Sequence, residues 1–399
     1  MTPGGRSTAS DRIPGLDGLR YLAAALIVLH HAGFASNATF ATRAGPYLAR
    51  MDVGVAIFFV LSGYLLYRPI VLRQLQERPP EPVGRYYLKR VARIYPAYWV
   101  ALWLTLVLGG SIVGDATGLW HTSALTHVYV PERSLSGLTQ SWSLAAEVAF
   151  YLALPALGTV AWAVARRAPA HLRPGRLLLA TGVLYAGSVA FRIVVERTAS
   201  ARFEGVMHLW MPAQIDHFAL GMALAVLAAW AEARPELQAL VQRVFTPIVR
   251  WWAVGAAVFW FTSTQLDLAR GLERAGDGAE LLRQGLYGLV AVALVAPLAL
   301  CPHQGGRVRR LLDSPVARWL GGVSYGLYLW HLWFINRLPG WRDFPLFSGH
   351  FLELAAAGLV LGTAAAALSQ ALVERPVNDL VRRRLVHTNP LGTTEVPVG

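Results

Sequence analysis

Apolar residues fall along this chain in ten blocks, most of them close to twenty residues long and separated by short polar connections rich in arginine. The blocks run over roughly 16–34, 52–70, 94–112, 142–165, 177–195, 212–231, 251–266, 284–301, 319–338 and 350–372. At a rise of about 1.5 Å per residue, twenty residues of helix cross a hydrocarbon core of about 30 Å. Backbone groups inside a bilayer must be satisfied within the segment, so the pattern predicts helices rather than open strands. The expected fold is all-α: a polytopic membrane helix bundle with about ten transmembrane helices. Its organisation reads as a polar tail over 1–15, a transmembrane domain over 16–377 and a second tail over 378–399. Proline and glycine punctuate the connections, as in RPPEPVG (78–84) and LRPGR (172–176). No internal repeat is visible, which speaks against an inverted-repeat transporter.

Composition agrees with this pattern: 55% of the 399 residues are hydrophobic, only 15% are charged, and the mean hydropathy is +0.42. A net charge of +13 would suggest nucleic acid as the partner of a soluble protein. In a membrane protein, topology and anionic lipid explain it, and no nucleic-acid partner is expected. Threading the blocks alternately puts the basic clusters around 85–93, 166–176, 307–318 and 375–384 on the same side as the N-terminus. The positive-inside rule then places both termini in the cytoplasm, with the bundle in a bacterial inner (plasma) membrane. Cys301 is the one cysteine, so neither an intrachain disulfide nor a cysteine metal cluster is expected. Neither H-x-x-x-H nor H-E-x-x-H occurs, and no metal site is expected.

Against this apolar background, buried ionisable residues are the candidates for chemistry, because each is expensive at membrane depth. The first block, LDGLRYLAAALIVLHH, carries Asp17 and Arg20 at one end and His30 and His31 at the other. Arg20 and His31 are eleven residues apart, about three helical turns, and therefore share a face; Asp17 is one turn from Arg20. His30 points about 100° away from His31 and is expected outside that line. Snorkelling at the two interfaces is the plainer reading of the same residues. In the second block, Ser62 and Gly63 either let helices approach closely or offer a hydroxyl to a cavity. RYYLKRVARIYPAYW (85–99) gathers Arg85, Lys89, Arg90 and Arg93 into either a positive collar or an anion site. Arg90 and Arg93 lie one turn apart, which lets two guanidiniums grip one polyphosphate. Glu147, one turn from both Ser143 and Tyr151, needs a partner from another helix, with Arg20 and His31 as the candidates. The ninth block adds Ser324, Tyr325 and a mid-membrane His331, which is either a packing residue or a functional one.

Taken in order, these stretches resemble the membrane-bound acyltransferase 3 family. The matching pieces are LDGLRYLAAALIVLHH, GVAIFFVLSGYLL, RVARIYPAYW, QSWSLAAEVAFYLALP, DHFALG, LGGVSYGLYLWH and VERPV, spanning about 16 to 377. The resemblance implies an O-acyltransferase whose donor substrate is acyl-CoA (acetyl-CoA or a short-chain homologue), with no permanently bound cofactor. Its acceptor would be a hydroxyl of a sugar, a glycolipid or a macrolide-type molecule. The family's arginine and histidine fall on Arg20 and His31, its R-x-x-R on Arg90 and Arg93, and its tryptophan-serine-leucine segment with a glutamate on Trp142, Ser143, Leu144 and Glu147. On this basis His31 is the expected general base, oriented by Arg20 or Glu147. Arg90 and Arg93, helped by Lys89, would take the CoA phosphates, and Arg20, Ser62 or Tyr325 would serve as oxyanion donor. No SGNH-type esterase segment follows the tenth block, so the expectation is a stand-alone member akin to macrolide acyltransferases. The alternative is a proton-coupled transporter or flippase for a lipid-linked or drug-like solute. There the polar line would relay protons and no acyl-CoA would be consumed.

Overall fold

A computed structural model describes residues 12–109, 113–271, 277–302, 304 and 306–387. Helices dominate, and no strand occurs among the described residues. Ten long helices coincide with the ten apolar blocks: α1 (Leu16–Ala35), α2 (Val53–Leu75), α3 (Val83–Val107), α4 (Trp142–Ala165), α5 (Arg173–Thr198), α6 (Met211–Glu232), α7 (Ile248–Thr264), α8 (Asp277–Leu300), α9 (Pro315–Arg342) and α10 (residues 351–387). The protein is a multi-pass membrane protein. By length and composition, seven helical segments among the described residues suffice to cross a bilayer. The count reaches eight if α7 is joined to the short helix Pro235–Phe245 before it, across a 57° bend. Helices α3 and α9 fall short of that standard. Arg85, Lys89, Arg90 and Arg93 occupy the first half of α3, and tyrosine, tryptophan and His331 dilute the apolar content of α9.

Two helix boundaries depart furthest from the sequence pattern. α3 begins eleven residues before its apolar block, because the charged run is itself amphipathic and buries Tyr86 and Ala92 against the bundle. α10 continues past residue 377 to His387, so the first part of the expected C-terminal tail is helical. Residues 1–11 and 388–399, most of the two expected tails, lie outside the described residues.

Close helix approach holds the centre together. Gly63 on α2 lies against the backbone of Phe218 on α6, and Gly221 on α6 lies against the backbone of Val60 on α2. A side chain at either glycine would meet a carbonyl oxygen, so only hydrogen permits this crossing. Stacked rings fix its orientation, with Phe218 between Phe59 (4.4 Å between centroids) and Phe150 of α4 (4.1 Å). On its opposite face α6 receives Arg192 of α5, whose guanidinium donates to Asp216 at 2.7 Å. Both side chains are 4% exposed or less, so each charge requires the other. α1 lies between α2 and α9, and α10 runs along α9. This arrangement leaves polar space between α1, α2, α3, α4 and α9.

Candidate active site

That space is a cavity of about 380 Å³. Its apolar wall comes from Val55, Phe58 and Phe59 on α2 and Ile94 on α3. Into it project most of the ionisable residues singled out in the sequence: Asp17, Arg20, Arg90, Arg93 and Glu147, with Ser62 and Tyr325 beside them. Helical spacing explains each placement. Asp17 and Arg20 share one face of α1, Arg90 and Arg93 one face of α3, and Ser143, Glu147 and Tyr151 one face of α4.

Polar contacts inside the cavity differ in part from the sequence expectation. Glu147 accepts from Ser62 Oγ at 2.5 Å and from Tyr151 OH at 2.7 Å, not from Arg20 or His31. Ser62 therefore supplies a hydroxyl to the cavity while its neighbour Gly63 packs on α6, so both readings of that dipeptide hold, on adjacent residues. The expected Asp17–Arg20 pair forms, at 3.7 Å. Asp17 is held closer by Arg12 at 2.8 Å, and Arg12 also reaches Asp313 at 2.7 Å. Tyr325 donates its hydroxyl to the Ile94 carbonyl at 2.8 Å and lies beneath the Arg93 guanidinium, 5.6 Å from ring centroid to charge. The Ser62 and Tyr325 hydroxyls are thus both engaged, and Arg20 keeps only its long contact to Asp17 among the described residues.

Arg90 is the exception in this network. Its guanidinium sits over the rings of Tyr86 and Tyr151, at 5.9 and 5.8 Å, and its Nε has no hydrogen-bond partner. No carboxylate pairs with it among the described residues. Neighbouring Arg93 has Glu374 of α10 at 3.3 Å, and Lys89 is paired with Glu81. Arg90 and Arg93 also line a second, more open cavity of about 930 Å³, which contains Lys89. The two cavities meet at the R-x-x-R pair.

His31 stands apart from both linings, about 16 Å along α1 from Arg20 by helical rise. It belongs to a pair, its Nδ1 lying 2.9 Å from Nε2 of His331 on α9. His331 is fully buried, and its Nδ1 lies 3.1 Å from the Leu327 carbonyl one turn back. A carbonyl only accepts, so His331 carries its proton on Nδ1. Neutral, it offers an Nε2 lone pair, and His31 Nδ1–H donates to it. The remaining ring nitrogen of His31, Nε2, then carries the free lone pair. Tyr328 connects this pair to the first cavity. It lines the cavity, and its ring lies 5.9 Å from that of His331 and 6.3 Å from that of Phe58. The Tyr328 hydroxyl is fixed by the Gln140 carbonyl at 2.6 Å and by Ser143 Oγ at 2.7 Å. His30 is directed elsewhere, onto the Leu48 carbonyl at 3.0 Å.

Tyr328, Phe58 and Glu374 were not among the sequence candidates. Tyr328 falls one turn before His331 in SYGLYLWH, and Glu374 is the acid of VERPV; those offsets were the available signal. Two of the perturbed groups in the connection between α3 and α4 illustrate its own bracing. The Arg133 guanidinium holds the Asp115 carboxyl well below the usual range. Burial pushes buried His127 down to about 4, with His121 adding to the effect. Both brace that connection and neither reaches the cavities.

Comparison with known proteins places this arrangement among related chains. The acyltransferase 3 family model, described as an acyltransferase domain, matches residues 13–371. The peptidoglycan O-acetyltransferase OatA of Listeria monocytogenes is 24% identical over 336 residues, covering 80% of this chain and 49% of the relative. A Staphylococcus aureus protein provisionally named an O-acetyltransferase is 23% identical over 342 residues, covering 80% and 50%. The Bacillus subtilis protein YrhL, provisionally named a peptidoglycan O-acetyltransferase, is 24% identical over 340 residues, covering 80% and 48%. The chain thus spans about half the length of the curated relatives it matches. No solved structure matches it.

Proposed function

Because the chain belongs to the acyltransferase 3 family, we propose that it transfers a short acyl group from acyl-CoA to a hydroxyl of a carbohydrate, glycolipid or macrolide-type acceptor. The observation that carries this reading is Arg90, a cation without an anionic partner among the described residues, at the junction of two cavities that share it. An unpaired guanidinium at that depth costs free energy until an anion arrives. A diphosphate fits, because Arg90 and Arg93 stand one turn apart and offer paired donors. The pantetheine arm is long enough to extend from there through the first cavity. The peptidoglycan acetyltransferase named among the relatives favours a carbohydrate hydroxyl as acceptor.

The chemistry follows from the histidine pair. Nε2 of His31 takes the proton from the acceptor hydroxyl as its oxygen attacks the thioester carbonyl carbon. The tetrahedral oxyanion needs a preorganised donor close to His31; Arg20, about 16 Å away along α1, is too distant for that role and belongs to the first cavity instead. Collapse breaks the C–S bond, and the imidazolium returns its proton to the departing CoA thiolate. His331 holds His31 in the productive tautomer throughout, the part first expected of Arg20 or Glu147. Phe58 and Tyr328 both line the first cavity and Tyr328 lies against His331, so a thioester reaching His31 would pass beside these rings. Their apolar faces would also keep water from the thioester.

Thiol release from acetyl-CoA by the purified protein, with a panel of sugar, glycolipid and macrolide acceptors and mass spectrometry of the product, tests the reading. Acceptor-dependent release should fall by about 10²–10⁴-fold in His31→Ala. The KM for acetyl-CoA should rise in Arg90→Ala/Arg93→Ala. A folded wild type that neither binds CoA by calorimetry nor releases thiol would reduce the R-x-x-R pair to a charge collar.

A further inference from the structure

The second cavity is wider than the neck at Arg90 and Arg93 requires, and two thirds of its lining residues come from the end of α10. We infer that α3 and the terminal turns of α10 form a clamp for the nucleotide end of the donor, with Arg375 and Arg382 taking the phosphate on its ribose. The inference rests on the reading of acyl-CoA as donor and extends it to residues outside the R-x-x-R pair.

Positions 375, 378 and 382 are spaced by three and four, so the three side chains share one face of α10, and that face lines the cavity. Arg375 and Arg382 have no carboxylate partner among the described residues, whereas Lys89 across the cavity is neutralised by Glu81. Six basic side chains line the space against two carboxylates, Glu374 and Asp379. Glu374 is spoken for by Arg93, although one of its oxygens is buried without a partner. The cavity therefore holds more positive charge than the protein itself balances.

Local geometry fixes the clamp in place. Residues Gln370–Glu374 form a π-turn immediately before Arg375, a distortion often found at functional sites. It brings Glu374 against Arg93, while Gln370 donates to the Gly322 carbonyl of α9 at 2.6 Å. Further out, Arg85 of α3 donates to the Leu385 carbonyl at 2.6 Å and ties the two helices across the cavity. The ligand chemistry that suits this wall is a phosphate monoester one ribose away from a diphosphate, with Asn378 as a neutral donor and acceptor beside it. An anionic lipid headgroup carries similar chemistry, but the cavity is continuous at Arg90 and Arg93 with the proposed diphosphate site, which favours the nucleotide.

The test compares acetyl-CoA with acetyl-3′-dephospho-CoA as donor. It uses the full chain, in detergent and in nanodiscs with and without phosphatidylglycerol. The wild type should show a KM about tenfold or more higher for the dephospho donor, the loss expected for hydrogen bonds to a charged group. In Arg375→Gln/Arg382→Gln the KM for acetyl-CoA should rise until the two donors become equivalent, while Arg375→Lys/Arg382→Lys should keep part of the preference. Equal KM values in the wild type would overturn the clamp and leave the acyl-CoA reading standing; this arm needs no variant and so does not depend on any variant folding. A preference that survives in the double glutamine variant would also overturn it. So would a loss confined to phosphatidylglycerol nanodiscs and equal for both donors, which would mark a lipid site. No turnover of either donor, with no CoA binding, would instead sink the function proposed above.

Discussion

At the scale of single residues, the feature that organises the site is a proton placement. The Leu327 carbonyl sets the tautomer of His331, and His331 sets that of His31. As His31 becomes an imidazolium, the hydrogen bond to His331 gains charge assistance worth about 1.5–3 kcal/mol. His331→Ala should therefore lower kcat by roughly ten- to a hundredfold with little change in the KM for acetyl-CoA. His331→Gln keeps a side-chain carbonyl to accept from His31 Nδ1–H and should recover part of the loss. A residue that merely fills space would move melting temperature instead, with kcat restored by any side chain of similar volume. Equal loss in the alanine and glutamine variants, in step with stability, would refute the positioning role. His31 was legible in the sequence because it stands three turns from Arg20 on one apolar helix. Its partner is 300 residues away, and nothing local to either histidine announces the other.

At the scale of elements, the site depends on how closely α2 and α6 cross. Gly63 and Gly221 each face a carbonyl of the other helix, and their neighbour Ser62 is thereby aimed at Glu147 on α4. Adding one methyl at Gly63 forces the helices apart, a change that in packed interiors costs about 1–3 kcal/mol. Gly63→Ala should lower the melting temperature in detergent and reduce activity together, since the shift also displaces Ser62. Ser62→Ala should leave melting nearly unchanged by comparison; if Gly63→Ala melted like the wild type, the crossing would be looser than described. The sequence offered packing or a cavity hydroxyl for Ser62 and Gly63, and periodicity could not choose between them. Which side faced a cavity and which a helix was a matter of neighbours. The same holds for α3, whose charged half fell outside the apolar block because its hydropathy is low, yet belongs to the same helix with Tyr86 buried.

At the scale of the molecule, the two cavities join a basic mouth between α3 and α10 to a polar interior. We propose that this mouth faces the cytoplasm, from which acyl-CoA would enter, because the arginine clusters obey the positive-inside rule only in that orientation. Single cysteines in a Cys301→Ser background test it. An impermeant maleimide should label Leu135→Cys, exposed in the connection between α3 and α4, in intact cells. Arg310→Cys, exposed between α8 and α9, should react only after permeabilisation. The reverse pattern would invert the bundle and remove the donor's route to Arg90.

By itself the sequence determined that this is a helical membrane protein and marked nearly every charged residue of the first cavity. Hydrophobic blocks and rare ionisable residues are local properties, and the bilayer penalises departures from them strongly. Pairings were decided only by tertiary structure: Glu147 with Ser62 and Tyr151 in place of Arg20 or His31, His31 with His331, and Arg93 with Glu374. Each joins helices far apart in the chain, and periodicity fixes the face a residue occupies without fixing what that face meets. The unpaired state of Arg90 is of the same kind. A cation reads identically in sequence whether or not the fold supplies its anion, and here the described fold supplies two tyrosine rings and open space.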